Sequence, residues 1–164
     1  MATKTSKRVG ESSTTVSVGI RIDPKIKFAL DIMGRLQKRS LTAVIEWAIS
    51  NAIAQQTLDV DGRTLATVLD KVWSTDESGR LVLLALNLPE ALTYDELRIW
   101  ETIKATSGFW KASPDDTFNP VAENINVLTV SLYWPDLLSH VKKFKTSSTI
   151  VPMNEGDIIP FPLK

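Results

Sequence analysis

The residues best equipped for chemistry in this chain are cations and small hydroxyls, and their arrangement suits holding an anion rather than breaking a bond. Arg21 lies near the end of a segment in which polar and apolar residues alternate. Lys38 and Arg39 directly precede Ser40 and Thr42, and Lys4, Lys7 and Arg8 cluster near the first residue. A guanidinium presents a planar fork of donors that matches a phosphate or the O6 and N7 edge of guanine. Hydroxyls and amides at a helix start favour phosphate as well. The reagents of catalysis are scarce by comparison. With 0 Cys there is no disulfide, thiolate ligand or cysteine nucleophile, and the single histidine, His140, cannot build a His-based zinc cluster. No phosphate-cradling Gly-rich loop, nucleophile elbow or HExxH pair occurs. His140, just before Lys142, Lys143 and Lys145, reads as a surface or capping residue; Asp115 and Asp116, and Glu96 and Glu101, read as ordinary loop and helix-face carboxylates. The expectation is a protein that is not an enzyme, with no cofactor and no metal.

The elements that would position these groups can be read from the pattern around them. Residues 1–14 are rich in Ser, Thr and Lys with little to bury, which describes a flexible basic arm. From Thr15 to Ile22 the alternation is strict. Val16, Val18, Ile20 and Ile22 fall on one face and Thr15, Ser17, Gly19 and Arg21 on the other, the signature of a half-buried strand. Asp23 is a good N-cap and Pro24 suits the first helical position, so a helix is predicted from Pro24 to about Gln37 with Ile26, Leu30 and Met33 on its apolar stripe. Ser40 then caps a second helix, Leu41 to about Gln55, whose apolar face is Val44, Ile45, Ala48, Ile49, Ala52 and Ile53. Trp47 on this helix reads as a core or interface residue.

A lone strand ahead of two helices has no partner nearby in sequence and leaves backbone donors and acceptors unpaired. The simplest remedy is the same strand of a second chain, antiparallel about a two-fold axis. Four helices would then cover the Val/Ile face, giving a dimer core of Val16, Val18, Ile20, Ile22, Leu30, Val44, Ile45 and Ala48. The Ser/Gly/Arg face would stay open, and a two-stranded ribbon of this kind fits the major groove of B-DNA.

In SVGIRID, PKIKFALDIMGRLQ and RSLTAVIEWAISNAI, about a third of the chain, the sequence resembles a ribbon-helix-helix domain of the MetJ and Arc type. The resemblance implies that three alternate outward strand residues read bases, here Ser17, Gly19 and Arg21. It also implies that the start of the second helix clamps a phosphate, here through Ser40, Leu41 and Thr42; by charge and position, Lys38 and Arg39 would add phosphate contacts from the same turn, and Lys4, Lys7 and Arg8 a backbone or minor-groove contact. Two departures stand out. The family usually has Gly between the helices, whereas this chain has Lys38-Arg39 there and Gly34 earlier, which points to a first helix that ends early or bends. Leu41 also stands where a polar or basic residue is more usual.

Leu58-Asp59-Val60-Asp61-Gly62 reads as a short linker or turn. Beyond it, a third helix is predicted from Arg63 (Leu65, Val68, Leu69, Val72, Trp73). A fourth, opened by Ser74–Gly79, is apolar on most sides and ended by Asn87-Leu88-Pro89. Thr93-Tyr94-Asp95-Glu96 has the capping-box pattern, followed on one face by Leu97, Trp100, Ile103 and the stem of Lys104, with Gly108 as the stop. Residues 111–124 read as a loop. Residues 125–134 are apolar and rich in β-branched side chains, so helix and strand stay open there. Pro135-Asp136 begins a last short helix bearing Leu137, Leu138 and Val141, and the Pro-rich end reads as extended, packed on the body or held by a partner. Trp73, Trp100, Trp110 and Trp134 suggest a compact core or a further subunit interface.

The sequence therefore predicts a mainly α chain in three parts: a basic arm (1–14), a ribbon-helix-helix DNA-binding and dimerisation domain (15–57), and a mostly helical domain (58–164) for oligomerisation or partner binding. Residues 1–57 carry nine Lys or Arg against four Asp or Glu, and residues 58–164 ten against fifteen. A basic front on an acidic back favours a polyanion at the front alone. The expected function is a homodimeric transcriptional repressor on double-stranded DNA, with a tetramer through residues 58–164, or a separate protein partner, as further assembly states. The same DNA domain also serves antitoxins and plasmid partition or conjugation accessory proteins. An adaptor whose strand pairs with another protein is the reading from a different class. No run approaches a membrane span and no apolar leader is visible, which predicts a cytoplasmic protein without a membrane partner.

Overall fold

The computed structural model describes residues 18–58, 62–111 and 122–158. Among these the chain is mainly helical, with seven α-helices and one two-stranded antiparallel sheet. It divides into two compact units, Met1–Ser50 and Asn51–Lys164, and the division falls inside the second helix, ahead of the Leu58–Gly62 segment. No helix among the described residues is long and apolar enough to cross a membrane.

The first unit contains α1 (Pro24–Gln37) and the greater part of α2 (Leu41–Gln55). Asp23 starts α1 as its residue type dictates, its carboxylate accepting from the Lys25 and Ile26 amides (2.8 and 3.4 Å), with Pro24 in the first turn, where no amide hydrogen is needed. Contrary to the expectation of an early end or a bend, α1 runs through Gly34 to Gln37. What it needs from Gly34 is clearance, because a Cβ there would stand 3.0 Å from the Arg39 carbonyl oxygen. Val18–Ile22 carries no regular secondary structure, so over its described residues the expected Thr15–Ile22 segment is not a strand; with no neighbouring strand in the chain its backbone has no ladder to join.

The second unit is built around α4 (Glu77–Asn87). The other elements are β1 (Thr57–Leu58), β2 (Arg63–Thr64), α3 (Leu65–Val72), α5 (Tyr94–Ala105), α6 (Val127–Leu132) and α7 (Trp134–Lys143). Thr57 pairs with Thr64 and Leu58 with Arg63 in a short antiparallel pair; residues 59–61 of the expected linker or turn lie outside the described set. Arg63 belongs to β2, and α3 begins at Leu65 under a Thr64 cap. The near-continuous apolarity of α4 follows from its place between two clusters. Leu81, Val82 and Ala85 join the main core, while Leu83 and Leu84 pack on Val68, Val72 and Leu88.

The main core also takes Trp100 and Ile103 from α5, Val130 from α6 and Leu137 from α7, together with Phe109, Trp110, Ile125, Met153 and Ile158. The capping box opens α5 as predicted: Thr93 Oγ1 accepts from the Glu96 amide and the Glu96 carboxylate accepts from the Thr93 amide. Leu97 is 41% exposed, so the buried stripe of α5 starts at Trp100. This helix ends at Ala105, before Gly108, which lies in a 3₁₀ turn over Ser107–Phe109. The ambiguous run resolves into two parts. Ile125 bridges Trp110 in antiparallel fashion, and Val127–Leu132 is helical with Asn126 as N-cap. Of the four tryptophans read as core or further interface, Trp100 and Trp110 are buried with their rings 6.2 Å apart, whereas Trp73, at 64% exposure, lies outside the core.

The segment after α7 is tied back to the body. Thr106 Oγ1 accepts from the Met153 amide (3.1 Å) while donating to the Thr102 carbonyl, and the His140 Nε2–H donates to the Val151 carbonyl (2.8 Å). Arg98 donates to the Phe144 and Ser147 carbonyls beyond the end of α7. Ile158 then closes on Gly108, where a Cβ would approach its Cγ2 to 2.9 Å.

Candidate nucleic-acid interface

The candidate surface is built on Val18–Ile22 and on the turn between α1 and α2. Arg21 and Gly19 are both exposed, and a Cβ at Gly19 would meet nothing within 4 Å. Ser17, Val16, Lys4, Lys7 and Arg8 lie outside the described residues. Asp23 caps α1, so Arg21 stands two residues ahead of the helix N-cap.

The turn holds the second group of cations. Lys38 adopts the left-handed conformation (φ 55°, ψ 42°), and its amide donates to Arg35 O (3.4 Å) while the Arg39 amide donates to Gly34 O (2.9 Å). This pair of bonds is a Schellman motif. Glycine normally fills the left-handed position because a side chain there costs roughly 1–2 kcal/mol; here a lysine fills it. Ser40 then starts α2, its Oγ accepting from the Ala43 amide (3.2 Å) and its carbonyl from the Val44 amide (3.0 Å). Leu41 and Thr42 occupy the first turn, where helix amides and the macrodipole favour an anion. Both are exposed, Leu41 at 39%.

An open groove of about 520 Å³ runs along this turn, lined by Leu30, Asp31, Gly34, Arg35, Lys38, Arg39 and Leu41. Three cations face one carboxylate. That carboxylate is already engaged, since Asp31 accepts from Lys27 Nζ at 2.8 Å. The groove is thus cationic, and its apolar floor comes from the two leucines.

The expected dimer-core residues divide by exposure. Val44 is fully buried, and Ile22, Leu30, Ile45 and Ala48 are partly buried. Val18 and Ile20 remain 74% and 60% exposed, and Ile26, Phe28, Ile32, Leu36, Trp47 and Ile49 of the same unit are exposed as well. Most large apolar side chains of this unit are therefore left in solvent by the single chain. Two features of the site escaped the sequence reading: the left-handed Lys38, and the close approach at Gly34 that sets the turn. Among the described residues, no group of three or more His, Asp or Glu side chains is placed to hold a metal ion.

Comparison with protein-family models, with curated proteins and with solved structures gives no match to this chain.

Proposed function

We propose that the chain is a homodimeric, sequence-specific DNA-binding protein of ribbon-helix-helix type that acts as a transcriptional repressor in the cytoplasm. One observation carries the reading: Val18 and Ile20 are open to solvent on a segment whose polar face bears Arg21, directly before a capped amphipathic helix. A second copy that pairs with this segment satisfies its backbone and covers its apolar face, and the same pairing turns Arg21 outward on a ribbon of the width a major groove accepts. The cationic groove beside α2 would follow the phosphate backbone and set the register, leaving base discrimination to Arg21, with Ser17 and Gly19 beside it.

The test is selection of bound sites from random duplex DNA, with the mass of the full chain in solution measured alongside. The expected outcome is two-fold-symmetric or repeated half-sites bound by an even number of chains, with affinity falling steeply as salt rises. Arg21→Ala should relax preference at one base position by about 1–3 kcal/mol, roughly five- to 150-fold. A monomer with no DNA shift at moderate salt would reject the proposal and leave the open segment to strand pairing with another protein. The apolar residues and cations that carry the reading are the same ones the resemblance names, so the two stand or fall together.

A further inference from the structure

Gly19 sits in the middle of the row Ser17, Gly19 and Arg21, and among the described residues nothing requires a glycine there. Its φ lies outside the left-handed region that favours glycine, and a Cβ on it would meet nothing within 4 Å. Val18 and Ile20 on either side are 74% and 60% exposed, and Arg21 is exposed as well. What distinguishes the position is the missing side chain, and its effect depends on where a second copy places it.

The symmetry of self-pairing fixes that place. Two identical antiparallel strands about a two-fold axis keep their apolar residues on one face only if the axis passes through a residue, not between two. With Val16, Val18, Ile20 and Ile22 as the apolar set, three centres compete. Centred on Val18, the pairing sets Ile22 against Thr14. Centred on Ile20, it sets Val16 against Pro24, which has no amide hydrogen for a ladder. Centred on Gly19, it sets Val16 against Ile22 and Val18 against Ile20, so every apolar side chain faces another. Gly19 then meets its own counterpart on the axis, and each Arg21 stands opposite a Ser17. The two arginines are four positions apart along the ribbon, about 14 Å.

We infer that the chain reads a split site, in which each Arg21 takes the O6 and N7 of one guanine and the pairs between the two guanines go unread because Gly19 brings them no donor or acceptor. The inference rests on the proposed DNA reading and adds to it which base pairs carry the discrimination. At the rise of ~3.4 Å per step of each strand, the guanines lie on opposite strands about four base pairs apart. Arg21 supplies the only bidentate fork in the row, while a serine hydroxyl serves any base. Gly19 is thus a specificity-determining position through what it lacks.

Selection of bound sites from random duplex DNA by the full chain, wild type and Gly19→Gln, tests this, with helical content and mass in solution as controls. Glutamine can take adenine through N6 and N7, and the open space around Gly19 admits the longer side chain. The wild type should give two symmetric guanine positions separated by positions at background frequency. Gly19→Gln should keep both guanines and add a preference for adenine between them of about fivefold or more. Adding Arg21→Ala to that variant should erase the guanine positions and spare the new central one. A two-fold site whose centre the wild type discriminates as strongly as its flanks would overturn the inference and leave the DNA reading in place. So would a Gly19→Gln protein that selects the wild-type site unchanged, or none. A wild type that enriches no site removes both.

Discussion

At the scale of single residues, Lys38 opposes two requirements. Its backbone adopts a conformation that glycine holds without strain, and its side chain adds a positive charge to the groove beside α2. Lys38→Gly should therefore stabilise the fold by up to about 1 kcal/mol, read from a denaturant midpoint at unchanged slope. On the proposed reading the same change should weaken binding to every DNA sequence and reduce the salt slope by about one counterion. Gains in both stability and affinity would remove Lys38 from the phosphate contacts. Asp76 supplies a prediction about pH. Its carboxyl is held below its ordinary 3.8, first by the Ser78 hydroxyl and then by the Gly79 amide, with burial acting against them. A lowered folded-state pKa stabilises the charged form, so this contribution is complete above the unfolded value near 3.8 and is lost as pH falls through the lower folded value. Asp76→Asn should flatten the acid limb of stability against pH, measured by denaturant midpoints between pH 5 and pH 2, and leave the slope near neutrality unchanged.

At the scale of elements, local signals were legible and distant ones were not. Asp23-Pro24 and Thr93-x-x-Glu96 announce their helices because a cap acts over three residues, and both occur where the sequence places them. The turn at Lys38 was hidden, because its conformation is set by how closely Gly34 approaches Arg39 and not by lysine's own preference. Residues 125–134 stayed open because a short apolar run fits a buried strand or a buried helix equally well, and the division between the bridge at Ile125 and α6 depends on Trp110. Whether Trp73 belonged to the core stayed open for the same reason: whether an indole is covered depends on elements remote from it. Of the candidate site, the exposed cations Arg21, Lys38 and Arg39 could be read from residue type and pattern, whereas the groove that gathers Lys38 and Arg39 with Arg35 needs two helices in place. The last segment shows the limit most plainly, since the Thr106–Met153 bond joins residues 47 apart. Thr106→Val leaves the Met153 amide without that acceptor and should cost about 1–3 kcal/mol. Gly108→Ala forces the Ile158 side chain to move, with an expected cost of about 1–3 kcal/mol. Both variants should speed proteolysis after α7 more than within α4, as limited digestion followed by mass spectrometry would show.

At the scale of the whole molecule, the two units differ in how far each completes itself. The second encloses its own core of tryptophans, leucines and isoleucines. The first buries Val44 and Gly34 among its described residues and leaves most of its large apolar side chains in solvent. Folding of the first unit should therefore be linked to association. Its melting transition should rise with protein concentration in the wild type and lose that dependence in the variant with Val18→Glu and Ile20→Glu. Scanning calorimetry over a hundredfold range of concentration is the direct measurement; a first-unit transition indifferent to concentration would show that it needs no partner to fold. The uneven distribution of tryptophan makes the units separately visible to light. Trp100 and Trp110 are shielded, but Trp47 in the first unit and Trp73 in the second are 41% and 64% exposed. Acrylamide should quench the fluorescence of those two by collision while sparing the interior pair. Replacing one or the other with phenylalanine would then give each unit its own optical reporter, able to register which face is covered when DNA or another copy of the chain is added.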